Sequence, residues 1–201
     1  METNYVLIDF ENVQPRNLEI LSKHPFKIFV FVGANQTRVS FDLASAMQTL
    51  GDDAKYIKIS GNGPNALDFH IAFYIGELAA SDKQAYFHII SKDKGFDPLV
   101  AHLKTRGFKA LRSSDLAEIP VLRVPDNTST DEKIATIVAN LISRGQSRPR
   151  KVKTLQNTIN TLFTRKLGDA QMQDILTALS QQNYIHIKDG NITYNLQNKR
   201  R

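Results

Sequence analysis

The stretch that most constrains this chain is Tyr5-Val-Leu-Ile-Asp-Phe-Glu-Asn12. Its apolar residues follow one another without polar alternation, the pattern of a strand buried on both faces of a parallel sheet. The run then breaks at an acid. Open parallel sheets bind ligands outside the carboxyl ends of their strands, so Asp9 falls where such a fold places its chemistry. A carboxylate that closes a buried strand also has no helix to cap, which sets Asp9 apart from the other acids.

Further apolar runs follow at 27–32, 54–59, 85–90 and 108–111. Between them lie segments of helical spacing at 41–50, 66–80 and 96–106, with a short helix expected at 15–22 behind Pro15. Asn65 reads as the N-cap of the helix at 66–80. Strands alternating with helices predict an α/β fold with a mainly parallel sheet covered on both faces. Pro120 and Pro125 bracket a connector, and the expected domains are 1–125 and 126–201. The second contains helical patterns at 131–143, 154–164 and 169–182, then two short strands around Lys188-Asp-Gly-Asn191. Asp-Gly between alternating strands signals a hairpin, and three helices followed by a hairpin predict a winged helix.

Charge divides the chain the same way. Residues 144–201 carry 11 Lys/Arg against 3 Asp/Glu, whereas residues 1–143 carry 15 against 17. A basic unit attracts polyanions, nucleic acid foremost; the plain alternative is a solvated basic surface. The chain has no cysteine, which excludes disulfides, a thiol nucleophile and cysteine-bound metal. It also lacks a secretory layout and any apolar stretch of membrane-spanning length, so a cytoplasmic protein with no membrane partner is expected. A monomer and a homo-oligomer are both open.

Three more acids follow strand ends. Asp68 lies in the first turn after the third strand, Asp93 follows the fourth by a few residues, and Asp97 opens the next helix. Parallel topology brings these ends to one edge, where clustered carboxylates stay ionised only with a cation. Oxygen donors suit Mg²⁺ or Mn²⁺, which can lower the pKa of a water and stabilise a phosphodiester under attack. Each acid has a local alternative: Asp68 completes an Asn65-x-x-Asp68 spacing close to a capping box, and Asp93 and Asp97 can be cap and first-turn residues. Glu11 is as readily an exposed acid as a metal-facing one, and His88 reads as a packed core residue. No G-x-G-x-x-G follows the first strand, which counts against a dinucleotide site.

Ile8-Asp-Phe-Glu-Asn12, Asn65-Ala-Leu-Asp68 and Ile90-Ser-Lys-Asp-Lys-Gly-Phe-Asp-Pro-Leu99 together resemble the signature blocks of NYN/PIN-like nuclease domains. The resemblance covers roughly residues 1–125 and implies a PIN-like three-layer α/β/α fold with metal-dependent ribonuclease activity. It assigns Asp9, Asp68 and Asp93 to the metal-holding acids, Asn12 to orienting the first of them, and Ser91 to the small polar residue after the fourth strand. Many members carry a further acid two residues beyond the third; here that position is Gly95, and Asp97 is the candidate substitute.

The basic block Arg148-Pro-Arg-Lys-Val-Lys153 opens the second helix of the small domain, where Arg148, Arg150, Lys151 and Lys153 can contact phosphates. Tyr184 and Tyr194 can stack on bases or pack in the core. This block, the apolar spacing and the hairpin ending at Tyr194 resemble the LOTUS (OST-HTH) winged helix that often accompanies NYN domains, which implies RNA binding. The expected function is a Mg²⁺- or Mn²⁺-dependent endoribonuclease acting on RNA, single-stranded or structured. The alternatives are a non-catalytic RNA-binding adaptor, with Gly95 marking lost activity, or a module for protein contacts. A nuclease for structured DNA ranks lower, since threading a strand needs longer insertions than this first domain has.

Overall fold

The first apolar run forms strand β1 (Asn4–Asp9), whose last four residues are buried. The computed structural model describes residues 3–15, 18–125 and 127–196. Among them, β1 is the central strand of a five-stranded sheet in the order β3-β2-β1-β4-β5, completed by β2 (Phe26–Val32), β3 (Ala54–Lys58), β4 (Tyr86–Ile90) and β5 (Lys109–Ser113). Every pairing is parallel.

Parallel strands need crossovers. A 3₁₀ turn at Leu18–Lys23 lies between β1 and β2, where the sequence predicts a short helix over 15–22. Helix α1 (Phe41–Leu50) joins β2 to β3, α2 (Ala66–Ser81) joins β3 to β4, and α3 (Asp97–Thr105) joins β4 to β5. The chain moves one way along the sheet through β3, then crosses back, so right-handed crossovers place α1 on one face and α2 and α3 on the other. Leu7, Phe31, Phe87 and Ile89 pack with Leu67, Ile71 and Ile75 of α2 and Val100 and Leu103 of α3. Alternation leaves Val6, Ile8, Ile28 and Val30, all buried, for the opposite face. The result is the three-layer α/β/α arrangement the sequence predicts.

This topology fixes where a site can form. β1 and β4 are neighbours, yet the chain leaves them toward opposite edges of the sheet. This is the switch point of the sheet, and open parallel sheets bind ligands outside the carboxyl ends of the strands at such a point. Ile8 pairs with Ile90, which brings Asp9 level with Ser91.

The chain divides into two compact units, Met1–Leu116 and Ala117–Arg201. The break precedes the boundary expected at 125. Residues 117–124 are not a linker: Ala117 and Val124 pack against the core of the second unit, and Val124 bridges to Phe163. The first unit carries 13 Lys/Arg and 13 Asp/Glu, the second 13 and 7, so the whole excess charge of +6 sits in the second.

The second unit contains α4 (Thr130–Ser143), α5 (Val152–Thr161), α6 (Asp169–Gln181) and an antiparallel hairpin of β6 (Ile185–Lys188) and β7 (Asn191–Tyr194). Helix α4 starts at a capping box in which Ser129 and Glu132 satisfy each other's backbone amides. Ile134, Ile137, Leu155, Ile159, Ile175 and Leu179 form its core with Ile185 and Ile192 of the hairpin. Asp189 and Gly190 both adopt positive φ, as a two-residue turn between twisted strands demands. No helix among the described residues is long and apolar enough to cross a membrane.

Candidate functional site

Asp9 ends β1 and is only 1% exposed. A buried carboxylate must be satisfied, and three donors do this. The Asn12 side chain donates to Oδ2 at 2.7 Å, the Asn12 backbone N–H to Oδ1 at 3.2 Å, and the buried Ser91 hydroxyl to Oδ2 at 2.7 Å. The Ser91 Oγ in turn accepts from the Asp93 backbone N–H at 3.0 Å. The ends of β1 and β4 are thereby tied together through one carboxylate and one hydroxyl.

Asp68 enters from α2, whose N-terminus follows β3 at the same edge. Asn65 takes the N-cap position of α2, as expected, but it adopts a left-handed conformation with φ 60°, and its side chain makes no capping bond. The Asp68 carboxylate accepts no hydrogen bond among the described residues and is half-buried. Its pKa is pushed up to about 6, first by burial and then by the negative charges of Asp9, Asp93 and Glu11. The capping-box alternative for Asp68 is therefore not realised, although Asp68 does stand in the first turn of α2, where the helix dipole favours an acid.

Asp93 does take a local role. Its Oδ1 accepts the Gly95 N–H at 2.8 Å and caps the 3₁₀ turn Lys94–Phe96. A side chain at position 95 would press on that carboxylate, since a Cβ there would stand 3.2 Å from Oδ1. Glu11 lies across the end of β2, so close to Gly33 that a Cβ on the glycine would be 1.7 Å from Oε1. Any residue but glycine there would displace the glutamate.

Four carboxylates thus share one edge closely enough for three to act on the fourth. Even so, among the described residues no three His, Cys, Asp or Glu side chains converge closely enough to hold a metal ion. The two facts are compatible because charge acts over several ångströms, whereas oxygen ligands must lie within about 2.0–2.6 Å of Mg²⁺ or Ca²⁺.

A model of the PIN domain family matches residues 3–113. The chain belongs to that family. The match spans the whole sheet, β1 to β5, together with every acid described above. PIN domains are usually nucleases and typically use divalent metals. No curated protein and no solved structure gave a significant match to the chain.

Asp97 stands apart from the acid edge of this PIN domain. Arg112 on β5 grips its carboxylate with two donors, Nε at 2.6 Å and Nη2 at 3.3 Å, and donates to the Ser91 carbonyl at 3.0 Å. The guanidinium holds the Asp97 pKa below the usual carboxylate range. The acid expected to substitute for the one missing at Gly95 is therefore committed to an ion pair. Arg112 itself escaped the sequence reading, because only the register of β5 against β4 brings it to Ser91. His88 is buried between Phe26 and Tyr86, with Nε2 2.9 Å from Asn4 Oδ1, a packed residue as expected.

In the second unit the basic block runs beside the hairpin. Lys151 bridges to Asn191, the Ile192 N–H donates to the Arg150 carbonyl, and the Val152 N–H donates to the Gly190 carbonyl. Arg148 is partly committed: Nε donates to the Leu141 carbonyl at 2.6 Å, and the guanidinium lies over the Tyr194 ring, 5.7 Å from its centroid. The Tyr194 hydroxyl donates to the Pro149 carbonyl, and burial pushes its pKa up to about 12. Arg150, Lys151 and Lys153 are exposed, and their side chains have no ion pair among the described residues. Arg148 and Arg150 line a shallow pocket of about 360 Å³ with Gln146 and Asn191.

Proposed function

We propose that the first unit hydrolyses RNA phosphodiester bonds with a Mg²⁺ or Mn²⁺ ion held by Asp9, Asp68 and Asp93. In this reading the second unit is a LOTUS-like winged helix that holds the RNA. The observation that carries the proposal is the gathering of Asp9, Glu11, Asp68 and Asp93 at one strand edge, where burial and the charges of the other three together push the Asp68 pKa up to about 6. A cation relieves that repulsion, and an all-oxygen donor set suits a hard divalent ion. When bound, such an ion supplies a water of lowered pKa and charge to stabilise the phosphodiester under attack.

The chain's own residues prepare that chemistry. Asn12 and Ser91 fix both oxygens of Asp9, so its orientation is set before any ligand arrives. Asp93 is anchored through one oxygen by the Gly95 amide, which leaves the other available. Asp68 is the uncommitted member and supplies the charge most readily recruited. In the second unit, α4 and α6 carry acids in their first turns, as the helix dipole favours, whereas α5 has none and begins at Lys151 and Lys153. Cations at the positive end of a helix destabilise it unless an anion binds there, and RNA phosphate is such an anion.

The test is cleavage of single-stranded RNA with Mn²⁺, with and without chelator. Cleavage is expected with metal only, and Asp9→Asn is expected to lower it at least about 100-fold while RNA binding persists, the scale of losing one preorganised charge in an active site. Undiminished cleavage by the variant would refute the role given to Asp9. A second reading, the non-catalytic RNA-binding adaptor, draws on Gly95 and on the absence of three converging metal ligands among the described residues. It predicts RNA binding without cleavage under every metal condition.

A further inference from the structure

Helix α2 is apolar nearly all round, which is unusual for a helix covering one face of a sheet. Its inner face is buried through Leu67, Ile71, Ile75 and Ala79. Its outer face keeps Phe69 71% exposed and Phe73 67% exposed. At 100° per residue, Phe69, Phe73, Gly76 and Ala80 fall on a single narrow stripe. All four are exposed, and a Cβ on Gly76 would meet nothing within 4 Å.

The order along the stripe is two large residues, then two small ones, and the spacing mirrors itself about the midpoint between Tyr74 and Ile75. We infer that this stripe is the contact of a two-fold dimer in which α2 packs antiparallel on α2 of a second copy. Phe69 then faces Ala80 of the second copy, and Phe73 faces Gly76, so each ring fills the space beside a small residue. Both contacts occur twice, as a self-complementary two-fold interface requires. Charge matches in the same register. Glu77 flanks the stripe on the same side as His70, and the antiparallel pairing brings each Glu77 within about one turn of His70 of the second copy. The His70 Nδ1 is engaged with the Ala66 carbonyl at 2.7 Å, which leaves Nε2 for an outside partner.

A second copy suits this face better than RNA does. The exposed stripe carries no Lys or Arg, and the charged groups beside it are Asp68 and Glu77, which repel phosphate. The stripe is smaller than the roughly 800 Å² per partner of a standard interface, so a dissociation constant on the order of 10–100 µM is expected. In the dimer Asp68 of one copy lies level with Ser81 of the other, which sets the two acid edges about 20 Å apart along the helix axis. The inference does not depend on the nuclease reading.

Sedimentation of the full chain from about 5 to 500 µM tests it. Reversible dimerisation is expected, with the Phe69→Ser/Phe73→Ser variant at least about tenfold weaker and its far-UV circular dichroism and melting unchanged, because both rings are largely exposed. The native chain has no cysteine, so introduced thiols report register alone. Oxidising a mixture of Phe69→Cys and Ala80→Cys chains should give a disulfide-linked dimer, whereas either variant alone should give none. A chain monomeric at the highest concentration, a linked dimer from a single variant, or a double variant that loses RNA binding instead of self-association would each overturn the proposal.

Discussion

Asp9 is held by three donors, and the most buried of them is the Ser91 hydroxyl. Ser91→Ala would leave that carboxylate oxygen one donor short in a site closed to water. The expected cost is about 1–3 kcal/mol, measured by denaturant unfolding; no loss would show that the hydroxyl does not hold the acid. Asp68 should respond in the opposite direction. Its folded pKa of about 6 lies above the ordinary 3.8, so the folded state binds the proton more tightly than the unfolded chain does. Stability from this group is complete below about pH 4 and is lost as the pH rises through about 6. The full shift corresponds to about 3 kcal/mol, and screening at a half-exposed site reduces this to about 1 kcal/mol. Without divalent cations, Asp68→Asn is therefore expected to stabilise the protein by about 1 kcal/mol at pH 8 and to change nothing at about pH 3. Destabilisation at pH 8 would reveal a favourable partner for the ionised form. Asp9 could be found from sequence because a charge at the end of an apolar run has few structural uses. The Arg112–Asp97 pair could not, since one residue opens helix α3, the other lies on β5, and only the folded chain brings them together.

Helices differ in how their ends are charged, and this gives α5 a test of its own. Lys153→Glu would place an acid in a first turn that has none. A gain of about 0.3–1 kcal/mol in stability is expected, read by thermal melting, together with weaker RNA binding and a shallower salt dependence. If both properties fell, the lysine would be serving the fold rather than a ligand. At this scale the sequence was readable wherever periodicity ran long: α1, α2, α4 and α6 match their predicted spans closely, and Asp189-Gly190 fixed the hairpin. Short elements were less legible. The helix expected over 15–22 is a 3₁₀ turn at 18–23, too brief for 3.6-residue periodicity to define it. Asn65 stands at the N-cap of α2 as its residue type suggests, but it adopts φ 60° and its side chain makes no capping bond. Composition names the residues that tolerate a turn without saying which turn they take.

Over the whole molecule, charge and chemistry are divided between the units. The first is electrically neutral and concentrates acids at one strand edge; the second carries the entire net positive charge. If a divalent ion is held by Asp9, Asp68 and Asp93, Mn²⁺ at 100 times its dissociation constant should stabilise the native first unit by about 2.7 kcal/mol. Scanning calorimetry with and without chelator would register this as a shift in one transition. Asp9→Asn and Asp68→Asn should each diminish it, and an equal shift in these variants would place the ion elsewhere. The unit boundary was partly hidden from sequence. Pro120 and Pro125 look like linker residues, yet the segment between them packs onto the second core through Val124. Proline marks where regular structure stops and is silent on which side the chain folds.

The pinning of residues 150–152 along the hairpin has one more consequence. A flexible cationic arm must surrender its freedom as it settles on a polyanion. Here the main chain bearing Arg150, Lys151 and Lys153 is braced by β7 before any ligand arrives. If a polyanion binds here, its engagement should resemble seating on a rigid rail, with little backbone ordering to offset and affinity governed by how well phosphate spacing matches a fixed row of charges.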